Sequence, residues 1–362
     1  MKKGRAIQDM LQELLRQSAA KEDYLVNTSC LLMETADGRP TLRLAGREEV
    51  QLSPLDIQPT AHQQIGTYLD IPARYYNRML TEDPELLAYN VNHWFQRAPE
   101  QRMLRTIDGR ARAFLSNRYR RIENLDIARI TLPRLDKLPD ARVESCEVTE
   151  DRMYIKVVNP RLQAEVVPGD VVQAGVIISN SETGQGAVWV KPLVYRLVCS
   201  NGMVVNDAKA GRYHTGRSMD SDEDISIYSE ETRIADDVAF IKKLQDTVDA
   251  AVKKARFLQV VDKMRDSQGV KLDTRQIPEI VKLTGSTFHI TEEECKGVLQ
   301  HLIEGGNMTL YGLANAVTRF SQDVESYDRA TKLEEIGYKV MTMPRELQLR
   351  ITQPAAMPAV AA

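Results

Sequence analysis

The sequence predicts an α+β fold: an antiparallel β meander flanked by helices, with a long amphipathic helix and a C-terminal helical region. Three observations predict it. Residues 141–205 alternate apolar and polar positions between short turn-forming segments, the pattern of antiparallel strands. Residues 231–266 instead place Ile234, Val238, Ile241, Leu244, Val248, Val252, Ala255, Leu258 and Val261 on one stripe. As a single helix that segment would run about 50 Å. Finally, Asp108-Gly109 separates two extended runs, RMLRTI and RARAFL, as in a two-residue hairpin.

The chain has 362 residues, 43% hydrophobic and 27% charged, too many for one typical domain. The expected division is an N-terminal helix and hairpin (1–52), an α+β core (53–230), a helical region (231–352) and a disordered tail (353–362). Taken in order, Ile7, Met10, Leu11, Leu14 and Leu15 have helical spacing. YLVNTSCLLMET and TLRLAG then read as strands around Asp37-Gly38.

From Ser53 to Gln96 the pattern is helical. Thr60 is placed to cap one short helix, Asp70-Ile71-Pro72 makes a turn, and a second helix covers Ala73 to Leu80. This is the cadence of a helix-turn-helix without its usual turn glycine. Asn124 is placed to cap a helix through Leu135.

In the meander, Val172, Ala174, Val176 and Ile178 share one face, and SETGQG reverses the chain as a flexible hairpin tip. Pro192 marks an edge or a bulge, and Asn201-Gly202 a tight turn. Thr291 with Glu294 forms a capping box for a helix through Ile303. A further helix covers Tyr311 to Phe320 and continues through Ser326.

Net charge is −3, so any attraction to nucleic acid must be local. The charges are segregated. Residues 97–121 hold eight arginines and two acids, a net of +6, whereas residues 218–237 hold eight acids and one arginine, a net of −7. In an unbroken hairpin register Ile107 pairs with Arg110, Arg105 stands opposite Arg112, and Met103 opposite Phe114, all on one face. Like charges directly opposed destabilise a sheet by up to about 1 kcal/mol. An anion should therefore cover that face: an internal carboxylate, solvent, or phosphate.

Catalytic chemistry finds little footing. No His-Glu-x-x-His, Gly-x-Ser-x-Gly, Walker or dinucleotide motif occurs. The five histidines (62, 93, 214, 289, 301) lack metal-ligand spacing, and nothing brings Cys199 to His214. Gly184-Gln185-Gly186 lacks the Lys-Ser/Thr of a phosphate loop, and Asp222-Glu223-Asp224 reads as a solvated loop. No metal or cofactor is expected. Cysteines 30, 146, 199 and 295 form no framework, and no membrane-spanning run occurs, so a cytoplasmic protein with free thiols is expected.

RAFLSNRYRRIEN, GDVVQAGVIISNSETGQGAVWVKPLVYRLVCSNGMV, RYHTGR and LYGLANAVTRFSQDVESYDRATKLEEIG resemble the phage/plasmid-like family described as domain of unknown function 932, over roughly residues 20 to 340. The resemblance implies a gene of phages, prophages or plasmids and carries no reaction. The expected function is therefore non-enzymatic binding of single-stranded nucleic acid in replication or recombination. Arg105, Arg110, Arg112, Arg118, Arg120 and Arg121 would neutralise phosphates, Tyr119 would stack on a base, and Arg212 and Arg217 would contact the anion from the GRYHTGR loop. The alternative is a protein-binding factor, such as a host-defence inhibitor whose acidic segment 218–237 imitates DNA. A weaker alternative is a regulator reading duplex DNA through residues 60–80. Self-association is expected through residues 231–266.

Overall fold

The computed structural model of the chain describes residues 1–44, 53–138, 140–206, 211–212, 230–251 and 253–354. Two sheets organise them, and the fold is α+β as the patterning predicts. The first lobe contains β1 (Lys21–Asn27), β2 (Leu31–Ala36), β3 (Arg39–Leu44), β4 (Leu55–Ile57), β5 (Gln101–Ile107) and β6 (Arg110–Ser116), in the order β1-β5-β6-β4-β3-β2. All neighbours are antiparallel except β4 and β6. Residues 21–44 thus supply three strands to the sheet that holds the arginine hairpin, and the division expected at residue 52 runs through that sheet.

Three helices cover it: α2 (Pro59–Tyr68), α3 (Ala73–Glu82) and α4 (Pro84–Arg97). Ile65, Tyr76, Met79, Leu87, Val91 and Phe95 pack there against Leu31, Leu42, Leu104 and Phe114. The two-helix cadence at 60–80 is present, with Asp70 adopting the positive φ (53°) that glycine usually takes. Gln58, not Thr60, caps α2, because Pro59 occupies the first turn, and Thr60 Oγ1 instead donates to Asp151 Oδ1 at 2.6 Å.

The second lobe follows α5 (Asn124–Asp136), whose N-cap is Glu123 rather than Asn124. Its sheet is the predicted meander: β7 (Arg142–Val148), β8 (Met153–Glu165), β9 (Val171–Asn180), β10 (Val188–Arg196) and β11 (Asn201–Val204) lie side by side, and β12 (Gly211–Arg212) also pairs with β10. Val172, Ala174, Val176 and Ile178 are all buried. Pro192 lies just beyond the β11 ladder, its carbonyl accepting from Val205 N, so its missing N–H costs no central pairing. Asn201 and Gly202 belong to β11 itself. The reversal precedes them, with Ser200 at a φ of 50°. The N-terminal α1 (Ile7–Ala20) packs Met10 and Leu14 into this lobe beside Cys146 and Ile155.

The expected single long helix is two: α6 (Glu230–Ala251) and α7 (Lys254–Gln268), separated where Lys253 is extended. The two halves of the stripe serve different cores. Leu244 and Val248 join α5 and the meander, whereas Phe257, Val260, Val261 and Met264 join the C-terminal helices. Of the residues predicted on the stripe, Leu244, Val248 and Val261 are buried within the chain and Ala255 is exposed.

The remaining helices are α8 (Ile277–Phe288), α9 (Glu292–Gly305), α10 (Leu310–Phe320), α11 (Tyr327–Met341) and α12 (Arg345–Thr352). The Thr291–Glu294 capping box is present. The helix expected to run on through Ser326 stops at Phe320, because Ser326 caps α11 by accepting from Arg329 N. No helix among the described residues is long and apolar enough to cross a membrane.

Candidate functional site

Asp108 and Gly109 both have positive φ (49° and 71°), so the arginine hairpin closes through the predicted tight turn. Ile107 pairs with Arg110 and Thr106 with Ala111, and then the register shifts. Arg105 faces Ala113, Leu104 faces Phe114 and Met103 faces Leu115, leaving Arg112 as the extra residue of a β-bulge. The expected Arg105/Arg112 and Met103/Phe114 pairs are therefore replaced. Strand alternation cannot reveal a one-residue insertion of this kind.

Carboxylates cover both arginines. Arg105 is 1% exposed and donates from Nε to Asp23 Oδ1 (2.9 Å), from Nη1 to the Glu182 carbonyl (2.9 Å) and from Nη2 to Glu123 Oε1 (2.5 Å). Arg112 Nη1 donates to Glu182 Oε2 (3.0 Å). The other oxygen of Glu182, a fully buried side chain, accepts from Lys21 Nζ (2.5 Å) and from Asn124 N (2.7 Å). Lys21 also reaches Glu123 Oε2 at 3.1 Å.

Burial alone would lower the Arg105 pKa. Glu123, Asp23 and Glu182 outweigh it, so the guanidinium is held more firmly charged than in water. Burial likewise works to raise the Glu123 pKa, but Arg105 and Lys21 prevail and hold it at about 2. Arg105 and Arg112 thus direct their donors to internal acids, which corrects the expectation that they meet phosphate.

The acceptor segment is the loop between β9 and β10, whose Ser181, Glu182 and Thr183 are all buried. The flexible tip expected there is instead the joint between the lobes. Gln64 of α2 donates to the Thr183 carbonyl and accepts from Phe114 N, both at 2.7 Å. Gly184 has a φ of +78°, and a Cβ on it would lie 2.6 Å from Leu115 Cδ2, so both backbone shape and space call for glycine. Asn180 Nδ2 donates to Asn124 Oδ1 at 2.9 Å, tying β9 to the start of α5.

Tyr119 is 8% exposed and donates its hydroxyl to the Ser181 carbonyl at 3.2 Å, which closes its ring to base stacking. Phe114 is core, stacked on Phe95 with centroids 5.7 Å apart. Of the remaining predicted residues, Arg110, Arg118 and Arg121 are exposed and Arg120 is half-buried. Arg121 Nη1 makes one contact, 3.4 Å to Asp23 Oδ2, and Arg118 and Arg120 each have interaction partners. The Arg212 backbone pairs with Val188. Its side chain, Arg217, Tyr213, His214, Asp222-Glu223-Asp224 and the acidic residues 218–229 lie outside the described residues.

Lys21, Asp23, Glu123 and Glu182 complete the cluster from three separate segments, and no spacing links them. Glu123 and Glu182 do fall within RAFLSNRYRRIEN and NSETGQG, two of the stretches that carry the family resemblance. A second buried pair, Lys156 Nζ to Glu334 Oε2 (2.7 Å), ties β8 to α11, and burial pushes the Lys156 pKa down. No cluster of three or more metal-ligating side chains occurs among the described residues.

Fold and site together define a two-sheet α+β protein whose lobes are joined through a buried ion cluster. Residues 114–342 match the family described as Domain of unknown function (DUF932), and the chain belongs to it. The match begins inside β6 and takes in the joint loop. That description assigns no reaction. No curated protein and no solved structure matches the chain.

Proposed function

We propose that the protein binds single-stranded nucleic acid without catalysing a covalent reaction, in the phage or plasmid replication or recombination setting that the sequence resemblance implies. The observation that carries this reading is a local excess of positive charge. Among the described residues Lys21, Arg105, Arg112 and Arg121 meet three carboxylates, Asp23, Glu123 and Glu182. Arg110 is exposed at the hairpin turn, and the Arg121 side chain is 58% exposed.

In this reading the buried arginines brace the joint, and the exposed ones meet phosphates. Neutralising phosphates releases counterions, so affinity falls with salt in proportion to the contacts made. Labelled single-stranded and duplex oligonucleotides titrated at several salt concentrations test it. Wild type should prefer the single strand, and Arg110→Ala/Arg121→Ala should bind more weakly with a shallower salt slope. Absence of wild-type binding, or an unchanged slope in the double variant, would overturn the proposal.

A further inference from the structure

Helix α4 buries Leu87, Ala88, Val91 and Phe95 and turns a mixed polar and apolar face to solvent. On that outer face Leu86 is 39% and Tyr89 70% exposed, and Glu85, His93, Gln96 and Arg97 are exposed as well. Tyr89 and His93 lie one turn apart with rings stacked at 6.4 Å and 24°. Scattered apolar residues on a surface are ordinary, but an exposed stacked ring pair flanked by Leu86, with an unpaired charge at each end of the helix, is a surface that a partner of matching charge would fit.

The charges on this face identify its partner. Glu85 at the first turn and Arg97 at the last are both exposed, and neither has an ion-pair partner among the described residues. The helix is also self-complementary when reversed. Turned end for end about the height of Val91, it sets Glu85 against Arg97, Leu86 against Gln96 and Tyr89 against His93, and each pairing recurs by symmetry. In an antiparallel helix pair, residues at constant summed position face one another, and a two-fold axis demands that kind of self-complementarity. Twelve residues separate Glu85 from Arg97, about 18 Å along the axis, long enough for both end pairs and the ring layer to engage together.

We infer that α4 is the interface of an antiparallel homodimer, with a second copy of this chain as occupant and two Glu85–Arg97 pairs closing its ends. One helix per partner buries an area at the low end of specific interfaces, so the dimer forms in a concentration-dependent way. This surface is separate from the arginine cluster and does not depend on the nucleic-acid reading.

Sedimentation velocity of the full chain over a concentration series tests it, with circular dichroism checking that each variant is folded. Wild type should shift from monomer to dimer. Glu85→Arg and Arg97→Glu should each remain monomeric over the same range, because each sets like charges against one another. Mixed together they should form a dimer, since one copy then carries a cation at both ends of α4 and the other an anion at both, and every end pair is attractive. Three results would overturn the inference: a wild type that stays monomeric, single variants that dimerise as wild type does, or folded variants that fail to pair when mixed. Wild-type monomer combined with weaker oligonucleotide binding by Tyr89→Ala would give the face to nucleic acid instead.

Discussion

Glu182 illustrates how a buried charge is tolerated. Its two oxygens receive Lys21, Arg112 and the Asn124 amide, so the desolvation cost is met by charged hydrogen bonds on both sides. Removing one partner of such a set leaves the others stranded, and the loss is then about 3–5 kcal/mol. Glu182→Ala should lower the urea midpoint by that equivalent with an unchanged slope. A loss below about 1 kcal/mol would put Glu182 on a par with an exposed pair. His62 is a different case. Its ring contacts Tyr76 Oη at 2.9 Å, and burial lowers its pKa to about 4.

At the scale of elements, the regular strands and helices were legible because their periodicity survives in the sequence. The meander and the Asp-Gly turns follow from alternation and from residues that tolerate positive φ. Three features were not legible, each for a physical cause. The bulge at Arg112 leaves composition and alternation unchanged. The break at Lys253 interrupts a stripe that stays apolar on both sides. The burial of Ser181, Glu182 and Thr183 depends on partners such as Arg112, 70 residues away from Glu182 in the chain. A polar, glycine-rich segment resembles a solvated tip unless its partner is known.

Gly184→Ala should therefore cost more than Gly38→Ala. Both glycines have positive φ, but a Cβ at Gly38 meets nothing within 4 Å, whereas at Gly184 it meets Leu115. The expected cost at Gly184 is about 1–3 kcal/mol, read from thermal melts of the two variants. Equal melting temperatures would mean that the joint yields freely.

At the scale of the whole molecule, acid should loosen both the helical cover of the first lobe and the joint. The folded pKa of His62 lies below its unfolded value of about 6.5, so protonation favours the unfolded chain. Its contribution is complete above pH 6.5 and is lost as pH falls toward about 4, at most about 3 kcal/mol. Glu123, held at about 2 against burial by Arg105 and Lys21, follows the same sign in a lower window, from about 4.5 down to about 2. Urea unfolding between pH 8 and 4 should show a declining stability that His62→Gln flattens, and a variant curve parallel to wild type would contradict this assignment.

The joint also sets an order on synthesis. Lys21, Arg105 and Arg112 leave the ribosome 161, 77 and 70 residues before the carboxylate or carbonyl of Glu182 that each one meets. Asp23 and Glu123 precede Glu182 in the chain and already meet Arg105 and Lys21, whereas the carboxylate that receives Arg112 comes only with Glu182. The second lobe therefore supplies, late, the last of the three carboxylates, the one that Lys21 and Arg112 share. A nascent chain that ends between residues 123 and 182 holds both carboxylates that meet Arg105 and lacks the one that meets Arg112.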